Sequence, residues 1–301
     1  MDRFSKIIGH ANATERLSRA LEHGFPHALL ISGARHLGKA TLARAIAESL
    51  LGTEKPEAHP DFRSLERSED PKTGKLHKGI SVDEVRELRG FLQMSSMVGG
   101  SKVAIVDGAE ALTDEAANAL LKILEEPPKG THIILVAHNL SEVPATIRSR
   151  SAILNLAQVP DAGIESSLVA RGVGEAVARE VVRFAAGRPG VALTLVQSGD
   201  MLDWYRREGE RWQSFRAGPL RRRFAVATEL APPKEDREAA IERLRDVASH
   251  WESELRHDLL AGDAQAASRL RAVHRFVGSL GINVQPRLLI ERLALEFDTT
   301  I

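Results

Sequence analysis

Three groups of residues in this 301-residue chain have types and spacing suited to phosphate chemistry. The stretch GARHLGKAT carries Gly33, Gly38 and Lys39 between an apolar run and an amphipathic segment. Glycines there let backbone N–H groups curl round phosphate oxygens at a helix N-terminus, and the lysine adds a point charge. Asp107 closes the apolar run of residues 103 to 106, at the strand edge where open α/β sheets bind ligands. Arg148 and Arg150 stand in TIRSRS; an arginine there presents a permanently charged planar fork that suits phosphate oxygens. Each group has a plain alternative. Gly33 to Lys39 could be a bare strand-to-helix turn, but the flanking elements favour a degenerate phosphate loop. For Arg148 and Arg150, the residues alone favour solvated charges before an edge strand.

The phosphate loop lacks one part. The pattern asks for Ser or Thr directly after the lysine to hold Mg²⁺, and Ala40 stands there. Thr41 comes one residue late, and one step along a helix turns a side chain by about 100°.

The elements that must position these residues read clearly. Residues 27 to 33, 102 to 107 and 131 to 137 each centre on a short apolar run, as strands covered on both faces require, and shorter strands are expected at 62 to 65 and 152 to 157. Helices are expected at 12 to 23, 42 to 51 and from 80 onward, where Ser81 and Glu84 form a capping box. Another should follow Thr113, with Asp114 and Glu115 in its first turn and Pro127 and Pro128 at its end. Strands alternating with helices over the first 157 residues imply a mostly parallel sheet with helices on both faces. From Pro160 the pattern is helical only, with segments near 163 to 172, 174 to 186 and 189 to 198, a hinge at Pro232 and Pro233, and a last loop at 278 to 286. Residues 68 to 79 read as a charged surface connection.

Composition narrows the function classes. Lysine plus arginine number 41 against 41 acidic residues, so the whole molecule offers no net field for nucleic acid or an anionic membrane. Any DNA contact must be local or shared with partners. The absence of cysteine removes disulfides and thiolate zinc sites, and His59 has no second ligand at a useful spacing. No apolar run reaches 18 residues and the N-terminal stretch is polar, so the expected setting is cytoplasmic with no membrane contact. Arg221, Arg222 and Arg223 are expected on a solvated helix face, and Trp204, Tyr205 and Trp212 in a core or subunit contact.

Taken together, PHALLISG with GKATLA (26 to 43), HPD (59 to 61), ISVDEVREL (80 to 88), KVAIVD with NALLKILEEPP (102 to 128) and TIRSR (146 to 150) resemble the bacterial clamp-loader subunits of the AAA+ class, most closely the delta-prime type of DNA polymerase III. The resemblance covers the first 157 residues well and the remainder loosely. It implies an AAA+ sheet domain with a degenerate phosphate loop at 1 to 158, a small helical lid at 159 to 203 and an all-helical collar for oligomerisation at 204 to 301.

Departures from the family pattern imply a subunit without its own ATPase activity. The glutamate that activates water in working members should follow Asp107, where Gly108 stands, and Glu110, three places on, is expected not to reach. The lid arginine falls on Gly190 of GRPGVAL, with Arg188 two residues early, and the strand-end sensor falls on Ala137 or His138. Gly33, Gly38, Lys39, Thr41 and Asp107 would form a nucleotide site of doubtful occupancy, binding ATP or ADP weakly at most; no cofactor is required. The cysteine module of many delta-prime subunits is missing, so no zinc is expected. Arg150 is retained, and the family projects this arginine in trans into a neighbouring subunit's ATP site. The implied partners are clamp-loader motor subunits and the delta subunit, with the sliding clamp and primed DNA met through the complex. Membership would make the chain part of a DNA-directed DNA polymerase, a nucleotidyltransferase holoenzyme. The rival readings are an active AAA+ motor of the same loader, disfavoured by Ala40, Gly108 and Gly190, and a nucleotide-binding adaptor outside replication.

Overall fold

The computed structural model describes residues 3–68, 79–231, 237–280 and 284–297. The expected charged connection at 68 to 79, apart from its two end residues, the hinge at Pro232 and Pro233, and the centre of the expected last loop lie outside the described residues. The chain divides into two compact units, Met1–Ser167 with Gly187–Gly190, and Leu168–Ala186 with Val191–Ile301.

In the first unit the order is α1 Ala11–His23, β1 Ala28–Ser32, α2 Lys39–Leu51, β2 Phe62–Leu65, α3 Val82–Gln93, β3 Lys102–Asp107, α4 Asp114–Glu125, β4 Thr131–Ala137, α5 Ala145–Arg148 and β5 Ala152–Asn155. The strands form one sheet in the order β2-β3-β4-β1-β5, and every pairing is parallel. Side chains alternate across a strand, so each apolar run serves two cores. Leu30, Ala104, Val106, Ile133 and Leu135 pack with Val85, Leu88, Leu120 and Leu124 of α3 and α4. Their neighbours Leu29, Ile31, Val103, Ile105, Ile134 and Val136 pack with Leu42, Ala43 and Ile46 of α2. This two-sided burial is why these strands read as continuous apolar runs rather than alternating ones.

Local capping follows the sequence. Glu84 N–H donates to Ser81 Oγ at 3.4 Å and Ser81 N–H to Glu84 Oε2 at 2.7 Å, completing the box at α3. Ala116 N–H donates to Thr113 Oγ1 at 3.2 Å at the start of α4. The strand expected at 152 to 157 ends at Asn155, although Leu156 N–H still donates to Ser32 O at 2.8 Å. Because all five strands run one way, their carboxyl ends gather at one edge, and that edge holds Gly33, Asp107 and His138.

Further along the chain come α6 Asp161–Ala170, α7 Glu175–Ala185, α8 Pro189–Gln197, α9 Gly199–Ala217, α10 Leu220–Leu230, α11 Arg237–Leu260, α12 Ala266–Ser279 and α13 Pro286–Glu296. Trp212, Phe215, Trp251 and Phe276 are fully buried among α9 to α13, and the rings of Trp212 and Trp251 lie 5.1 Å apart. One expectation is corrected here. Arg221 and Arg222 are exposed, but Arg223 is buried and donates from Nε to Phe215 O at 3.0 Å and from Nη1 to Ala294 O at 3.4 Å. The last carbonyls of α9 and α13 have no partner within their own helices, and the guanidinium supplies one.

Candidate functional site

The loop between β1 and α2 is shaped by its glycines. Gly33 has φ 145°, and a Cβ there would lie 2.4 Å from Leu156 O, so the position admits no side chain without moving the backbone. Gly38, at φ 87°, is the left-handed residue from which α2 starts, which brings the helix back to Lys39 rather than Leu42. Lys39 is buried, and its ammonium donates to Ala34 O at 2.7 Å, inside the loop. Burial pushes the lysine down from its ordinary pKa, while Asp107 and Glu110 pull the other way. Ala40 and Thr41 are both exposed on the first turn of α2.

Asp107 ends β3 at the mouth of a cleft of about 510 Å³, lined also by Arg35, Arg67, Glu110, His138 and Glu142. Burial raises the Asp107 carboxyl above the usual aspartate range, opposed by His138 and Lys39. Burial likewise lowers His138, with the Lys39 charge acting in the same direction. Gly108 takes φ 90°, a left-handed conformation that a glutamate would adopt only with strain. The turn that follows, residues 109 to 111, carries Glu110 back over the strand ends, where Glu110 Oε1 accepts from His138 N–H at 3.2 Å. A short 3₁₀ turn thus folds Glu110 into the cleft beside Asp107, where its carboxylate is engaged by the His138 amide. No periodicity signals that reversal. Of the residues expected to hold a nucleotide, Asp107 lines this cleft and Gly33, Gly38, Lys39 and Thr41 do not, although Lys39 and Asp107 are close enough for each to favour the other's charge.

Gly190 sits where the lid arginine of the family pattern would fall. Its N–H donates to His36 O at 2.8 Å, and a Cβ would stand 2.9 Å from that same oxygen and 3.2 Å from His36 Cα. The backbone of Gly190 is thus seated on the phosphate loop, leaving no room for a longer side chain. Arg188 lies near enough to act on His36, whose pKa is lowered by burial first and by Arg188 next.

Arg150 belongs to a different place in the unit. It follows α5, and its Nη2 pairs with Glu125 Oε1 at 2.7 Å, while Nη1 donates to Thr146 O at 3.1 Å and to Ser149 Oγ at 3.3 Å. Its side chain is 36% exposed, so the guanidinium is held yet reachable from outside the chain.

The donor set decides how far a nucleotide fits. Gly33 and Gly38 set the curvature of the loop, and Lys39 places its charge inside it against Ala34 O. A metal-bound triphosphate fits poorly: Ala40 offers no hydroxyl, Gly108 no carboxylate directly after Asp107, and Gly190 no guanidinium, while the Glu110 carboxylate that does enter the cleft is engaged by the His138 amide. Among the described residues, no three His, Asp or Glu side chains gather to hold a metal ion.

Comparison with known proteins agrees with this reading of the fold. A family profile described as DNA polymerase III, delta subunit, matches residues 9–160. The chain is 34% identical over 193 residues to DNA polymerase III subunit delta' of Pseudomonas aeruginosa, a match covering 58% of this chain and 56% of that protein. To the Escherichia coli protein of the same name it is 35% identical over 200 residues, covering 60% of this chain and 57% of the other. The matches thus span little more than half the length of these relatives. A solved DNA polymerase III gamma subunit-related protein from Thermotoga maritima superposes with a TM-score of 0.53 at 17% identity, covering 94% of this chain and 97% of that one. The fold is that of an AAA+ protein. With its profile matched over half the chain and its delta' relatives sharing about a third of the aligned residues, the chain belongs to the DNA polymerase III delta subunit family and resembles the delta-prime members within it.

Proposed function

We propose that this chain is the delta-prime subunit of a clamp loader, a non-hydrolysing member that lends Arg150 to the ATP site of a neighbouring subunit. On this reading its partners are the motor subunits and the delta subunit, and it meets the sliding clamp and primed DNA through the assembly. It needs no metal and no zinc of its own, and any ATP or ADP it holds is bound weakly through the loop of Gly33, Gly38 and Lys39, with Asp107 near. By membership it would be a part of the DNA polymerase III holoenzyme.

The observation that carries the proposal is a contrast between two sites in one unit. At the phosphate loop, Gly190 rests its backbone on His36 where a lid arginine would need space, and Gly108 is left-handed where a carboxylate would be required. At the end of α5, Arg150 keeps a fixed guanidinium with part of its surface outward. Loss of metal and base functions costs orders of magnitude in phosphoryl transfer, whereas an arginine supplied in trans gains about 10³-fold or more. The chain has therefore kept the part that acts on a neighbour and lost the parts that act at home.

The test is reconstitution with the clamp-loader subunits of its source organism. A stable complex is expected on gel filtration, together with no turnover of ATP by the isolated chain, with or without primed DNA and clamp. Turnover that survives repurification and disappears in Lys39→Ala would instead favour an active motor, and failure to enter the complex would favour an adaptor outside replication.

A further inference from the structure

Arg150 is held by Glu125, which lies within the NALLKILEEPP stretch but to which the sequence assigns no role. Glu125 is the last residue of α4, and Glu126 and Pro127 follow it. A carboxylate at that end faces the negative pole of the helix, where acidic residues are disfavoured. The placement thus carries a local cost, and Glu125 has a specific contact to show for it: Oε1 lies 2.7 Å from Arg150 Nη2. Both side chains are partly open, Arg150 at 36% and Glu125 at 48%, so this exposed pair contributes little to stability.

Its geometric effect is larger. A guanidinium has five N–H donors. Glu125 takes one on Nη2, and Thr146 O and Ser149 Oγ take those on Nη1, which leaves Nε–H and one Nη2 hydrogen for a phosphate. A free arginine on a surface samples many rotamers, and ordering it on binding is costly. Here three contacts on one plane hold the fork before any neighbour arrives. Among the described residues, removing Glu125 would leave the two Nη1 contacts, both from residues of the short segment that carries Arg150 itself. Among the described residues, Glu125 is the anchor that comes from another helix.

We infer that Glu125 is a positioning residue for Arg150, holding the guanidinium in the orientation from which it meets a neighbour's phosphate. This rests on the trans role proposed above for Arg150. The test uses the fully assembled loader carrying Glu125→Gln, Glu125→Asp, Arg150→Ala, or Glu125→Gln with Arg150→Ala. Glutamine keeps the shape and removes the charge. The expected result is a two- to fivefold fall in the DNA-stimulated kcat for ATP with Glu125→Gln, about the effect an exposed ion pair allows, with KM nearly unchanged. Glu125→Asp should recover part of the loss, and Glu125→Gln should add nothing once Arg150 is alanine. A wild-type or raised kcat in assembled Glu125→Gln loader overturns the inference, as does an equal loss in the Arg150→Ala background. If Arg150→Ala lowers kcat and Glu125→Gln does not, only the positioning role fails. If Arg150→Ala itself has no effect, the trans reading fails with it.

Discussion

The guanidinium of Arg150 lies 2.7 Å from the Glu125 carboxylate, so the arginine that the proposed function turns on is tied to the far end of α4. That helix begins one short turn after Asp107 and is packed through Leu120 and Leu124 into the core beneath β3 and β4. A single helix thus links the strand that ends at Asp107 to the residue proposed to act on a neighbour.

Restoring the lost carboxylate should not restore hydrolysis. Gly108→Glu places a β-carbon on a residue at φ 90° and leaves Ala40 and Gly190 as they are. Steady-state ATPase of the variant should stay at background, and the strain should cost about 1 kcal/mol in urea denaturation.

Gly190→Arg is expected to damage the first unit without creating a working lid arginine. The new Cβ would stand 2.9 Å from His36 O, and the amide contact to that oxygen would have to open. Overpacking of this kind costs about 1–3 kcal/mol, readable as a lower urea midpoint, while Gly163→Ala at an ordinary 3.4 Å contact serves as the mild control.

Asp107 gives a pH-dependent test. Its pKa is raised in the folded chain by burial, so the folded state takes up a proton more readily than the unfolded one, and ionising Asp107 costs stability. That cost is full above the raised pKa and disappears as pH falls towards the unfolded value of about 4. Asp107→Asn should therefore raise the melting temperature at pH 8 and raise it less at pH 5. Differential scanning calorimetry at both values checks this; a gain that grows on acidification would contradict it. His36 titrates in both proteins and cancels in the difference, whereas His138 loses its Asp107 partner in the variant, which trims the gain further as the imidazole protonates towards pH 5.

In the second unit, Arg223→Met should cost about 2 kcal/mol or more, because it strips a charged donor from carbonyls at the ends of α9 and α13. Arg221→Ala and Arg222→Ala, on exposed neighbours, should stay within about 0.5 kcal/mol. Thermal unfolding of the three variants separates them.

The sheet was legible because its physics is local. Apolar runs ending in Ser32, Asp107 and Ala137, and caps at Ser81 and Thr113, name their elements without tertiary information. What sequence missed depends on chain reversals. Glu110 enters the cleft only because a 3₁₀ turn doubles back over the strand ends, and Gly190 reaches His36 across some 150 residues of chain. Arg223 looks like its exposed neighbours until two helix ends are seen to converge on it. The Glu125 to Arg150 pair is likewise silent in the sequence, since neither spacing nor composition relates a helix terminus to a residue 25 positions later.

The measurement that bears most directly on the proposed role is the clamp-loading rate of a reconstituted loader in which this chain carries Arg150→Ala. Arg148→Ala, two residues away, is the internal control, and Arg150→Lys tests whether charge without the fork suffices. Folding and assembly should be unchanged. Arg150→Ala should load clamps and turn over ATP at a reduced but measurable rate, since one of several ATP sites borrows this arginine; lysine should rescue poorly, and Arg148→Ala should have the smaller effect. A fully assembled Arg150→Ala loader that loads clamps at the wild-type rate would contradict the trans role.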